Sequence, residues 1–331
     1  MKLLSKLVFS TLLMIGGQAT ITNVSLADES IKNDQSSETN YIQYDLETQT
    51  QTIISIGDET ELGEEKFSSP EVVGTGEMEK VDLNSIGASD KTPIDPLTGQ
   101  PLEEKITPFV IIGEDDRRQV ANTSIMPYRA LTYIEFANLL NTWTCSGGVI
   151  GIDLVVTNAH CVDRTVFSST VVPGINNNQW AYGHYRVTHI LYPQEYRETQ
   201  SSDYDYAILR VAPDSEGRHI GNRAGILSWS EAGSITENTL LKTYGYPGDK
   251  ISENRSISMW GMTGRSDSFT HPNLVFYNMD TYFGQSGSPV LNSTNTMIAV
   301  HNAGYKIGNR DINGGPKIRR HFTNLFNQMN Q

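Results

Sequence analysis

The chain has 331 residues, 37% hydrophobic and 19% charged, with a net charge of -13; that is enough apolar material for one or two cores and too little for a membrane-spanning body. The charge is uneven: 19 acids face five lysines over residues 28–109, whereas 19 acids meet 18 bases over residues 110–331. A nearly neutral body lacks the basic face that nucleic-acid binding needs, so that class is excluded.

Lys2 and Lys6 flank the start of a short apolar run at 7–15, and a polar stretch ends in Ser25-Leu26-Ala27. This pattern predicts a secretory signal peptide over 1–27, cut after Ala27, and hence an extracellular protein with no membrane part in its mature form. The run is shorter than the roughly 20 apolar residues of a spanning helix. Residues 28–109 follow with four aromatics, no cysteine and repeated Ser, Gly, Glu and Thr. Such a segment has little apolar area to offset the entropy of ordering and is expected to be a weakly structured, acidic pro-segment.

From Val110 the texture changes. Short β-branched and aromatic runs at 148–157, 166–172, 185–192, 206–211, 239–245, 273–278 and 297–301 are separated by Gly, Asn, Asp and Pro. They predict strands, and many short strands within 222 residues point to an all-β barrel or sandwich. At the end, Phe322, Leu325, Phe326 and Met329 recur at three- and four-residue spacing, which predicts a C-terminal amphipathic helix over 319–329. Cys145 and Cys161 form a pair in a secreted body, where a disulfide is expected over the rival reading of a catalytic thiol.

Three patterns carry the chemistry. Leu154-Val155-Val156-Thr157-Asn158-Ala159-His160-Cys161 is an apolar strand ending in a polar turn with a histidine. Ser202-Asp203-Tyr204-Asp205-Tyr206 places an acid before the next strand, and Gly284-Gln285-Ser286-Gly287-Ser288-Pro289 flanks a serine with small residues. Each alone is an ordinary turn or structural residue. Together they supply a nucleophile (Ser286), a base (His160) and an acid to orient that base (Asp205), the parts that acyl transfer by serine requires. The backbone N–H groups of Gly284 and Ser286 would form the oxyanion hole. The order His, Asp, Ser and the serine at position 288 exclude the α/β-hydrolase elbow. No zinc, phosphate-loop or calcium-loop motif is present, so no metal or other cofactor is expected.

These segments resemble the chymotrypsin-like serine proteases, and within them the secreted bacterial glutamyl endopeptidases. Val110-Ile111-Ile112-Gly113-Glu114-Asp115-Asp116-Arg117-Arg118-Gln119-Val120 is similar to that family's mature N-terminus, Tyr244-Gly245-Tyr246-Pro247-Gly248-Asp249-Lys250 to its Gly-Tyr-Pro-Gly-Asp turn, and Asp280-Thr281-Tyr282-Phe283-Gly284-Gln285-Ser286 to its specificity and nucleophile segment. The resemblance covers 110–331. It implies two six-stranded antiparallel β-barrels with the triad between them and a mature domain over 110–331. It also implies that Thr281, His301 and the α-amino group of Val110 bind the carboxylate of a substrate glutamate. A buried carboxylate needs donors and positive charge, which these groups offer.

Three other readings compete. Asp280 stands six residues before Ser286, where trypsin-like enzymes select Lys or Arg; Gln285, however, replaces the aspartate that captures the freed amino terminus in their zymogens. Alternatively the scaffold is catalytically silent or toxin-like, with a flipped peptide at Phe283-Gly284. A housekeeping quality-control protease is a third rival, but little chain follows the expected barrels to supply a peptide-binding module. The expected partners are protein and peptide substrates and a maturation protease acting at Phe109-Val110, and the mature form is expected to be a monomer.

Overall fold

The computed structural model describes residues 39–56, 79–80 and 110–331. The expected signal peptide and most of 57–109 lie outside the described residues. In chain order the elements begin with β1 (Thr39–Asp45), β2 (Thr50–Ile56) and β3 (Glu79–Lys80). They continue with β4 (Arg118–Gln119), β5 (Leu131–Ala137), β6 (Thr142–Val149), β7 (Leu154–Thr157), β8 (Ser168–Pro173), β9 (Gln179–Trp180), β10 (Tyr185–Pro193), α1 (Gln194–Thr199) and β11 (Ala207–Val211). After α2 (Ile220–Ala224) come β12 (Leu240–Gly245), α3 (Gly248–Asn254), β13 (Trp260–Arg265), β14 (Leu274–Tyr277), β15 (Pro289–Leu291), β16 (Met297–Val300), β17 (Ala303–Ile307), β18 (Arg310–Pro316) and α4 (Arg320–Met329).

The pairing order β11-β7-β6-β5-β8-β10, closed by a β10–β11 ladder, makes a six-stranded antiparallel barrel. Inward residues such as Ile134, Val155, Val171, Tyr185 and Leu209 are fully buried within it. The second half forms a ring of β12, β13, β14, β18, β16 and β15, built from two sheets. Its two joints are single bridges, Ser266 to Tyr277 and Ala299 to Lys317. The expected double barrel of antiparallel strands is therefore present.

The local sequence explains both hits and misses. The run expected as one strand over 148–157 is two, β6 and β7, because Gly151 and Asp153 allow a tight turn in which the Ile150 and Gly151 N–H groups both donate to the Leu154 carbonyl. The glycine-bearing β13 and β18 carry no clean alternation and read as loops; pairing with β12 and β14 makes them strands. Helix α4 forms where expected. Its buried stripe of Phe322, Leu325, Phe326 and Met329 seals the first barrel, with the Phe322 ring 5.6 Å from Tyr206 and 5.4 Å from Trp229.

One feature has no counterpart in the sequence reading. Within the segment expected to be weakly structured, β1 and β2 form a hairpin, and β1 pairs with β10 of the first barrel from Tyr41 opposite Pro193 to Asp45 opposite His189. Its turn is set by Asp45, whose Oδ1 accepts from the Glu47 and Thr48 N–H groups.

Cys145 on β6 and Cys161 are joined by a disulfide, as expected, across a sequence separation of 16. The bridge ties the residue after His160 to the adjacent strand. Replacing both cysteines by alanine is expected to destabilise the protein by about 3 kcal/mol in the chain-entropy model, read from denaturant unfolding of oxidised wild type and variant.

Candidate active site

The three candidate residues come from different turns that meet between the barrels. His160 follows β7, Asp205 precedes β11, and Ser286 lies in the turn before β15. All three are buried. The His160 Nδ1 lies 2.7 Å from Asp205 Oδ2, and the His160 backbone N–H donates to Asp205 Oδ1 at 2.9 Å. One carboxylate thus holds both the ring and the main chain of the histidine, which fixes the imidazole's orientation and leaves Nε2 as the ring nitrogen that does not face Asp205. Asp205 Oδ2 also accepts from Asn302 Nδ2 at 3.1 Å, and Tyr305 donates its hydroxyl proton to Asn302 Oδ1 at 2.6 Å. The sequence reading missed Asn302, because an asparagine after a strand carries no signal beyond a turn.

Ser286 is fastened to the first barrel through its carbonyl, which accepts from the Ser146 N–H at 2.7 Å. The next residue is glycine for a steric reason: at φ 86° an added Cβ at Gly287 would lie 2.1 Å from the Ser146 carbonyl oxygen. Gly284 has φ 90°, and its Cβ would meet the Tyr246 carbonyl at 2.4 Å. The Phe283 carbonyl accepts from the Gly248 N–H at 2.7 Å. That bond orients the trans peptide and turns the Gly284 N–H the opposite way. Among the described residues, neither this N–H nor that of Ser286 has a protein acceptor. Two free donors beside a serine suit an incoming oxyanion.

The residues expected to hold a carboxylate gather around β18. Asn313 is fully buried and makes four bonds: its Oδ1 accepts from the Thr281 hydroxyl at 2.8 Å and the Val110 N–H at 3.2 Å, while its Nδ2 donates to the Val110 and Met279 carbonyls at 2.7 and 2.8 Å. The Thr281 N–H donates to the Val110 carbonyl at 3.2 Å. His301, on the far side of Gly314, has its Nδ1 3.1 Å from the Gly314 carbonyl and 2.8 Å from the Tyr277 hydroxyl. Neither Asn313 nor Tyr277 was singled out by sequence; Asn313 lies in a glycine-flanked stretch that reads as a turn.

Asp280 does something other than face a basic substrate side chain. Its Oδ1 accepts from the Ile112 N–H and its Oδ2 from the Asp116 N–H, both at 2.8 Å, and the residue is buried. Its carboxylate fastens the segment that follows Val110. Arg117 in the same segment is the largest surprise, since Glu114-Asp115-Asp116-Arg117-Arg118 reads as a solvated charge run. The guanidinium is wholly buried, donates to both oxygens of Asp115 at 2.9 Å, pairs with Asp249, and reaches Gln285 Oε1 at 3.3 Å. Gln285 in turn accepts from the Tyr282 N–H at 3.0 Å. Arg117 therefore props the serine turn from behind.

Burial pushes the His301 imidazole down to about 3, against 6.5 for a free histidine, so it is neutral at pH 7. The Gly314 carbonyl and Asp205 oppose this shift, and His160 adds to it. An unfolded chain then binds one more proton than the folded one between pH 6.5 and about 3, so stability falls as the pH is lowered through that window. His301 should contribute a slope of about 1.4 kcal/mol per pH unit there. Thermal or urea melts between pH 7 and 4 should show that slope in the wild type and a flatter one in His301→Gln; equal slopes would refute the assignment.

Cys145, His160 and Cys161 lie close enough to suggest a metal group, but both sulfurs are in the disulfide and cannot ligate.

Residues 145–300 match the family model described as a trypsin-like peptidase domain. A glutamyl endopeptidase of Bacillus licheniformis is 32% identical over 234 residues, covering 66% of this chain and 69% of the relative. A glutamyl endopeptidase of Staphylococcus aureus is 28% identical over 233 residues, covering 69% and 67%. The chain thus spans about two thirds of the length of these relatives. A solved structure of a Glu endopeptidase superposes with a TM-score of 0.60 at 36% identity, covering 66% of this chain and 99% of that one. With the double barrel and its buried His160–Asp205 pair, the chain belongs to the glutamyl endopeptidase family of chymotrypsin-like serine endopeptidases.

Proposed function

We propose that this endopeptidase is secreted as a precursor, is cut before Val110, and cleaves peptide bonds after glutamate through an acyl-enzyme on Ser286. In this reading the Ser286 hydroxyl attacks the scissile carbonyl while His160 Nε2 takes its proton. Asp205 holds the Nδ1–H and stabilises the imidazolium as it forms. The N–H groups of Gly284 and Ser286 receive the oxyanion, His160 returns the proton to the leaving amine, and water then repeats the sequence on the ester.

The observation that carries the glutamate reading is the Asn313 hub. It holds Val110 and Thr281 together on β18, the strand whose Gly314 carbonyl lies against the His301 ring, so cutting before Val110 would turn an amide N–H already beside Asn313 into an ammonium, without any need to move the chain. A positive amine offsets the desolvation of a substrate carboxylate, and the Thr281 hydroxyl can support it by turning its proton away from Asn313 Oδ1. The use of both Asp280 oxygens by backbone donors speaks against Lys or Arg selection, and the free N–H pair at Gly284 and Ser286 against the silent scaffold.

The test is a matched peptide series that varies only the residue before the scissile bond (Glu, Asp, Lys, Phe), run with the secreted protein beside Ser286→Ala, together with N-terminal sequencing. Cleavage after Glu by a species beginning at Val110 is expected. Cleavage after Lys would hand the pocket to Asp280, a distant N-terminus would remove Val110 from it, and absence of a covalent label from a serine-directed titrant would favour the silent scaffold.

A further inference from the structure

Strand β10 is shared along one edge. β8 pairs with it at Tyr185 and Arg186 and then leaves, and β1 takes over the same edge from His189 to Pro193. The Leu46 N–H extends the contact by donating to the Thr188 carbonyl at 2.9 Å. Side chains of β1 enter the body on both faces of the sheet. Tyr41 is fully buried in the cluster that includes Leu191, Tyr206 and Phe322, and donates its hydroxyl proton to the His321 carbonyl at 3.0 Å. Ile42 is buried in the core of the barrel. An added strand whose alternate side chains fill pockets on two faces is the geometry by which an extended peptide binds a sheet edge as a separate chain.

The contact reaches the loop that carries Asp205. β10 runs directly into α1, where Arg197 donates to Gln51 of the hairpin at 2.7 Å and to Asp163 at 2.9 Å; Asp163 lies two residues beyond Cys161. Further on, the ring of Tyr204 sits 5.9 Å from the ring of His321, the residue whose backbone Tyr41 holds. Both ends of the 194–205 stretch therefore lean on residues that the hairpin touches.

We propose that residues 39–56 are a strand-addition subunit that stays docked on β10 after the chain is cut before Val110, and that braces the loop presenting Asp205. The proposal rests on the reading that such a cut occurs, so its test makes the cut independently of any natural maturation. The full chain is prepared with the recognition sequence of a site-specific protease in place of residues 104–109 and is cut there completely, as denaturing mass spectrometry reports. Native mass spectrometry and gel filtration at micromolar concentration then read the composition. The expected result is a one-to-one complex of fragment and body, with hydrogen exchange of the backbone at 189–193 and 200–205 unchanged by the cut. A body that elutes without its fragment overturns retention; a retained fragment with exchange at 200–205 raised tenfold or more overturns the bracing role. Tyr41→Asp is expected to release the fragment after cutting and to lower kcat about tenfold with little change in KM. Should that variant fail to fold, Tyr41→Phe serves instead, expected to keep the fragment but raise exchange near His321; no rise there would count against the brace.

Discussion

Asp205→Asn should lower kcat on the order of 10⁴-fold at neutral pH while leaving KM and the fold nearly intact. Asp205 accepts three N–H bonds, two of them from His160. An asparagine of the same shape must present an amide NH₂ to at least one of these donors, and relieving that clash favours the imidazole tautomer with its proton on Nε2. That nitrogen could then no longer accept the Ser286 proton. Ser286→Ala should cost more, toward 10⁶-fold, and adding His160→Ala to it should cost almost nothing further, because the residues act as one unit. Steady-state cleavage of a chromogenic peptide at saturating substrate would measure this; additive losses in the double variant would break the proposed assignment of roles.

Arg117→Leu is expected to be the most damaging change outside the triad. Removing the guanidinium leaves Asp249 without its cation and Asp115 with Lys250 alone, 3.0 Å away, and removing one partner of a buried ionic cluster costs about 3–5 kcal/mol. At roughly 2–4 °C per kcal/mol for a body of this size, Tm should fall by roughly 10 °C. Activity should fall too, roughly tenfold, since Gln285 loses a donor and with it part of the support of the serine turn. The control is Arg117→Leu with Asp249→Leu, which removes one of the uncompensated carboxylates and should recover part of the stability. A single variant that melts like wild type would mean that the buried charge contributes nothing net. Arg117 also holds the Asp115 carboxyl well below the usual range, so the same cluster should weaken in acid as that carboxylate takes up its proton.

The double barrel and the pairing of His160 with Asp205 were legible because strands and turns leave local marks: β-branched runs, a histidine at a strand end, an acid before the next strand. The supports were not. Asn302, Asn313, Tyr277 and Arg117 act through Asp205, Val110, His301 and Gln285, partners between 24 and 203 residues away, and nothing in their immediate neighbours distinguishes them from turn or surface residues. Asp280 shows the converse. Its position relative to Ser286 suggested a specificity role, but its partners are backbone N–H groups far earlier in the chain. The hairpin at 39–56 was hidden by the composition around it, for only Tyr41, Ile42 and Leu46 are buried among its apolar residues.

The single-bridge seams of the second ring also bear on how the protein survives its own activity. Such joints open more readily than the continuous ladders of the first ring, and transient openings are where chains become cleavable. Residues 254–331, which supply β13 to β18 and α4, contain no glutamate. For an enzyme of the proposed specificity, nothing from β13 onward can be cut, and the exposed Glu231, Glu237 and Glu253 that flank β12 all precede it, so self-digestion at high concentration should spare the last third of the body and begin at or before Glu253 or in the acidic segment.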